Sequence, residues 1–138
     1  MRSFLFVMAL SAAAALASDR PEIGGTWQLS SPHDAKLKFE TLLIQPSSDA
    51  IKITESGAKE KPVDFACSLD AQECKLKEGV VSFWYDGPAL VMMESHHNHD
   101  QVTKTRLLPA EDGKTLSLEV THVAPPGSSA TYTFTKQP

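Results

Sequence analysis

From residue 26 onward the chain alternates. "TWQLS" sets Trp27 and Leu29 on one side of an extended segment, "AIKIT" sets Ile51 and Ile53, "TLSLEV" sets Leu116, Leu118 and Val120, and "TYTFT" sets Tyr132 and Phe134 between threonines. Successive side chains of extended backbone point to opposite faces, so a period of two marks a strand with one buried face. "FETLLIQ", "VDFACSL", "VVSFWY", "ALVMMES" and "VTKTRLL" are further candidates, which makes about nine short strands.

Turn chemistry separates these runs. "PSSD", "DGP" and "AEDGK" supply the Pro, Gly, Asp and Ser that tight reversals need, each between two apolar runs. No mature segment sustains a helical period, and "SPHDAKLKFE" is long enough for one turn at most. Parallel pairing needs crossovers of about a dozen residues, which the short spacers cannot supply. The pattern therefore predicts an all-β, antiparallel meander. It closes into a small barrel of about eight or nine strands, because sequential hairpins that curl back on themselves leave no exposed edge.

The most apolar hairpin is "VVSFWYDGPALVMME". On a regular strand Trp84 faces away from Phe83 and Tyr85, which are expected in the core. Trp84, Met93, His122 and Tyr132 are the candidate wall residues for a ligand. His122 continues the inward register of Leu116, Leu118 and Val120 towards one end of the barrel. Trp84 has a second reading, as an exposed patch for a protein partner.

The first 17 residues have a different character. Met1 and Arg2 give a positive start, Phe4 to Leu10 an apolar stretch, and Ala15-Leu16-Ala17 the small-x-small pattern cut by signal peptidase. Residues 1–17 are read as a cleaved signal peptide, 18–24 as an N-terminal tail and 25–138 as a single barrel domain. The product is expected in the periplasm or outside the cell, without a membrane anchor and as a monomer. Cleavage removes Arg2 alone among the charges and leaves 12 basic against 17 acidic residues. Nucleic acid is excluded as a partner, because the basic residues are scattered singly rather than clustered as a phosphate groove requires.

Cys67 and Cys74 in "CSLDAQEC" form an even pair at short spacing in an exported chain, which reads as a disulfide. "ESHHNHDQ" places His96, His97 and His99 at a hairpin tip. They are either metal ligands, with Met92 and Met93 as nearby soft sulfur, or a solvated polar loop. Enzyme signatures are missing: there is no Gly-x-Ser-x-Gly elbow, no His-Glu-x-x-His and no Gly-rich phosphate loop. Glu55, Asp64, Asp86 and Glu94 have no spacing that brings two together across a cleft. Neither catalysis nor a cofactor is expected.

"IGGTWQLS", with Gly25 and Trp27, resembles the Gly-x-Trp of lipocalin-like proteins, in which the first-strand Trp closes the barrel floor. The Gly-Thr-Trp start, the tight Cys pair, "SFWYDGP" and "DGKTLSLEV" together resemble small exported bacterial proteins. A looser likeness is to periplasmic barrel inhibitors of secreted metalloproteases, whose tail would match residues 18–24. The lipocalin-like resemblance, with a barrel just wide enough for one small ligand, implies a non-catalytic binding protein for a small apolar or amphipathic molecule. The alternatives are a protein-binding module or protease inhibitor acting through the tail, and metal binding at His96 to His99.

Overall fold

The computed structural model describes residues 22–34, 36–57, 61–96 and 98–138. The expected signal peptide and residues 18–21 of the expected tail lie outside the described residues. Among these residues ten strands follow in order: β1 (Gly25–Ser31), β2 (Thr41–Pro46), β3 (Ala50–Ser56), β4 (Val63–Ser68), β5 (Cys74–Lys75), β6 (Gly79–Asp86), β7 (Ala89–His96), β8 (Gln101–Pro109), β9 (Thr115–Ala124) and β10 (Ser129–Lys136). Nine of them coincide with the alternating segments. The tenth, β5, has two residues and is too short to leave a period in the sequence.

Every ladder is antiparallel, and the strand order is β4-β3-β2-β1-β10-β9-β8-β7-β6-β5. β1 pairs with both β2 and β10, so the meander curls round into a nearly closed barrel. Tight turns match their chemistry: Gly87, at φ 58°, opens the two-residue turn between β6 and β7, where a positive φ is required.

Among the described residues the barrel does not close by a ladder. Its two edges are β4 and the short β5, with β4 packed beside β5 and β6. The expected disulfide bridges this gap, joining Cys67 of β4 to Cys74 of β5 with their Cα atoms 5.7 Å apart. The Ala71 amide donates to the Phe83 carbonyl at 3.0 Å and adds a backbone tie to β6.

The inward faces make one core. At the closed end lies Trp27, wholly buried, whose indole N–H donates to the Ile23 carbonyl at 3.0 Å. The Lys136 ammonium sits 5.5 Å from the Trp27 ring centre, within cation–π range. Ile23, within the expected tail, is itself part of the core. Above this floor come Leu29, Phe83, Leu90, Leu107, Leu116, Leu118 and Phe134. The inward positions turn polar only near the opposite end.

Candidate functional site

The alternation that builds the core also builds the site, because it continues past the apolar residues. On β3, Ile51 and Ile53 point inward and the next inward position is Glu55. On β7, Leu90 and Met92 point inward, followed by Glu94 and His96. On β8, Leu107 is followed towards the same end by Thr105 and Thr103, which pair with Met92 and Glu94. The barrel therefore grades from an apolar floor to a polar mouth.

The described residues between β1 and β2, 32–34 and 36–40, lie against this mouth as a strap without helical structure. Asp34 organises it: its Oδ1 accepts the Lys36 and Leu37 amides at 3.0 and 3.2 Å, and accepts the Tyr132 hydroxyl at 3.1 Å. Phe39 packs nearly parallel to Phe134, with ring centres 6.0 Å apart. Leu37 also rests on the core.

A cavity of about 530 Å³ opens beside the strap, within the range of roughly 300–1,000 Å³ usual for small-molecule sites. Phe39, Val63, Phe65 and Leu76 give it apolar walls, and Glu55, Glu94 and His96 line it as well. An adjoining hollow of about 380 Å³ shares Phe39, Glu55 and Glu94 and reaches Thr103, Thr105 and Leu118. The two carboxyls thus stand at the junction of both spaces.

Their electrostatics follow from that position. Burial pushes the Glu55 carboxyl up to about 8, and the neighbouring Glu94 charge adds to the effect. Burial also raises Glu94, offset in part by the hydrogen bond and charge of His96, whose Nε2 lies 3.3 Å from Glu94 Oε2. The other His96 nitrogen lies 3.3 Å from the Glu78 carbonyl oxygen. Tyr132 is held in its neutral form, first by burial and then by the Asp34 carboxylate that accepts its hydrogen bond.

The structure divides the expected wall residues. Tyr132 is inward and buried, but its hydroxyl is engaged by Asp34. His122 keeps the inward register, opposite Thr103, and is exposed at the rim against the turn at Gly127. Trp84 and Met93 do not face the interior. Trp84 pairs with Val91 and Met93 with Ser82, and the inward partners on these strands are Phe83 with Met92 and Val81 with Glu94. The correction follows from strand parity: one residue either side of Phe83 or Met92 is the outer wall.

Glu55 and Glu94 share a cavity although nothing in their spacing paired them. The signal was present in the register, since each lies two residues beyond an inward apolar residue. His96 and His99 diverge: His96 turns to Glu94, while His99, at φ 69°, turns to Glu73 at 3.4 Å. His97 lies outside the described residues. Among the described residues no group of three or more His, Cys, Asp or Glu is placed to hold a metal ion.

No protein-family model matches the chain, and no curated protein sequence does. Solved structures do. The fold is similar to secretory abundant heat soluble protein 4 from Ramazzottius varieornatus (TM-score 0.66, 16% identity, 83% of this chain and 94% of that one). It is similar to fatty-acid-binding protein 1 from Echinococcus granulosus (TM-score 0.66, 12% identity, 84% and 98%) and to a point mutant of the fluorescent protein UnaG (TM-score 0.63, 13% identity, 84% and 96%). The chain thus has the barrel architecture of these proteins, nearly end to end.

Proposed function

We propose that the protein is an exported, non-catalytic binding protein that holds one small apolar or amphipathic molecule in the mouth of the barrel. The observation that carries this reading is the cavity of about 530 Å³, with its apolar walls of Phe39, Val63, Phe65 and Leu76 and recessed polar groups. A few convergent polar groups in an otherwise apolar hollow are the usual makeup of a small-molecule site. The likeness to a fatty-acid-binding protein supports the reading at the level of architecture. Export is supported by the three-part pattern of residues 1–17 and by the Cys67–Cys74 bridge, which suits an oxidising compartment.

Titration with Nile red, a neutral apolar dye, tests the binding. One saturable site is expected, lost in Val63→Trp. Val63 is 48% exposed at the cavity wall, so the larger ring fills the mouth without crowding the core. Absence of saturable binding, or unchanged binding in Val63→Trp, overturns the proposal. Leu118 is a worse place to fill, being 1% exposed within the core, where overpacking costs about 1–3 kcal/mol. Export is tested by the intact mass of the protein recovered from outside the cytoplasm, which should correspond to a chain starting at Ser18.

A second reading, a protein partner, is favoured by one observation: Trp84 and Met93 lie on the outer wall of β6 and β7. Trp84→Ser would then abolish capture of the partner without affecting Nile red. The tail is a poorer candidate near its end, since Ile23 is committed to the core.

A further inference from the structure

The cavity carries a chemical preference in its charges. Glu55 on β3 and Glu94 on β7 come from opposite sides of the unpaired gap and face the same two spaces. Glu55 has no hydrogen-bond or ion-pair partner among the described residues. No side-chain nitrogen or oxygen sealed from solvent lacks a partner among them, so the Glu55 oxygens reach the cavity rather than being shut in the wall. Among the described residues Glu94 has His96 alone, at 3.3 Å. Lys38, Lys61 and Lys77 line the same mouth, but none pairs with either carboxyl.

An unpaired carboxyl in an apolar recess is costly, and two facing each other repel. A third carboxylate, such as a fatty-acid head, would add to that repulsion. A cation would relieve it. An ammonium group offers several donors and one positive charge, which matches two acceptor carboxyls with the Thr103 and Thr105 hydroxyls next to them.

We propose that the site selects amine-headed amphiphiles, seating the ammonium between Glu55 and Glu94 and the apolar chain against Phe39, Val63, Phe65 and Leu76. This rests on the binding reading above and narrows its ligand class. Binding has a proton balance. At neutral pH Glu55 holds its proton, and an arriving ammonium stabilises the carboxylate, so Glu55 releases that proton to solvent. Affinity therefore rises with pH towards about 8 and then levels off. Among the described residues the other charged groups facing Glu55 are Lys36 and Lys38 on the strap, Lys61 and Asp64 before and on β4, Lys77 and Glu78 before β6, and Glu94 and His96 on β7.

The test is calorimetry with octylamine, octanol and octanoate, which share one chain and differ in head group, on the wild-type protein and on Glu55→Gln and Glu94→Gln. Octylamine is expected to bind at least ~10-fold tighter than octanoate, the factor expected of one charge-assisted hydrogen bond. In buffers of different ionisation enthalpy, its binding should release a proton that Glu55→Gln does not release. Each Gln variant should narrow the preference while still binding octanol, which shows that the cavity is intact. Octanoate binding as tightly as octylamine, or a preference that survives both substitutions, overturns the amine assignment while leaving the binding reading in place. If none of the three binds and Nile red also fails, both fall.

Discussion

The Tyr132 hydroxyl donates to Asp34 across the mouth of the barrel, 3.1 Å from Oδ1 and 3.3 Å from Oδ2, and so ties β10 to the strap that follows β1. The two residues are 98 positions apart in sequence, and the same Asp34 oxygen also fixes two strap amides. One carboxylate therefore sets both the shape of the strap and its attachment.

Removing that tether should loosen the strap before it unfolds the barrel. Tyr132→Phe keeps the buried ring and loses a hydrogen bond to a charged acceptor, which costs about 1.5–3 kcal/mol. Denaturant unfolding measures the loss. Hydrogen exchange should quicken in residues 36–40 of the variant and stay slow in β9. Uniform acceleration in both would show that Tyr132 holds the core rather than the strap.

Glu55 gives stability a pH dependence of known sign. Its carboxyl titrates at about 8 in the fold against 4.5 ordinarily, so the folded chain binds the proton more tightly. The stabilisation is full below 4.5, declines as pH rises, and is gone above about 8. Screening at the open cavity reduces its size, but a loss of at least ~1 kcal/mol across the window is expected. Thermal melts of Glu55→Gln beside wild type should diverge with rising pH, the variant being the more stable at pH 8. Parallel curves would show that Glu55 is not the group responsible.

The Cys67–Cys74 bridge lies where the hydrogen-bonded sheet stops. Closing its short loop stabilises by about 2.5 kcal/mol through restriction of the unfolded chain. Replacing both cysteines by Ala should cost close to that, read from denaturant midpoints, and should raise exchange at the Ala71 amide, which spans the same gap. Loss confined to stability, with Ala71 still protected, would mean that the gap holds without the bridge.

At the floor, Trp27→Ala should cost about 3–5 kcal/mol, the usual penalty for emptying so large a buried site. Lys136→Met removes the charge over the ring and keeps most of the chain, so its cost should be about 0.5–1 kcal/mol. A double-mutant cycle isolates the contact, and a coupling indistinguishable from zero would reduce Lys136 to a surface residue.

The fold was legible because its determinants are local. Alternation in "AIKIT" or "TLSLEV" and turn residues such as Asp86-Gly87-Pro88 dictate strands and hairpins without reference to the rest of the chain. The two-residue β5 left no trace because it is shorter than the period that reveals a strand. The site was less legible because it depends on which strands meet. Glu55 and Glu94 belong to different hairpins, and only the curl of the sheet brings them to one cavity. Trp84 and Met93 lie on the outer wall because parity decides the face. The strap was invisible for another reason: Asp34 matters through Tyr132, a partner that no local pattern links to it.

The placement of β1 between β2 and β10 bears on how the chain reaches this state. β1 is made well before β10 and gains its second ladder only when β10 arrives, and the Gln137 amide donates to the Thr26 carbonyl at 2.8 Å to complete that seam. Such pairing between distant segments slows folding, since the whole intervening loop must be ordered first. A nascent chain therefore stays open along β1 until β10 has been made, with Trp27 unable to seat beneath Lys136. Under the export proposed above, that delay would keep the chain threadable while it crosses the membrane, and the barrel would shut on the far side.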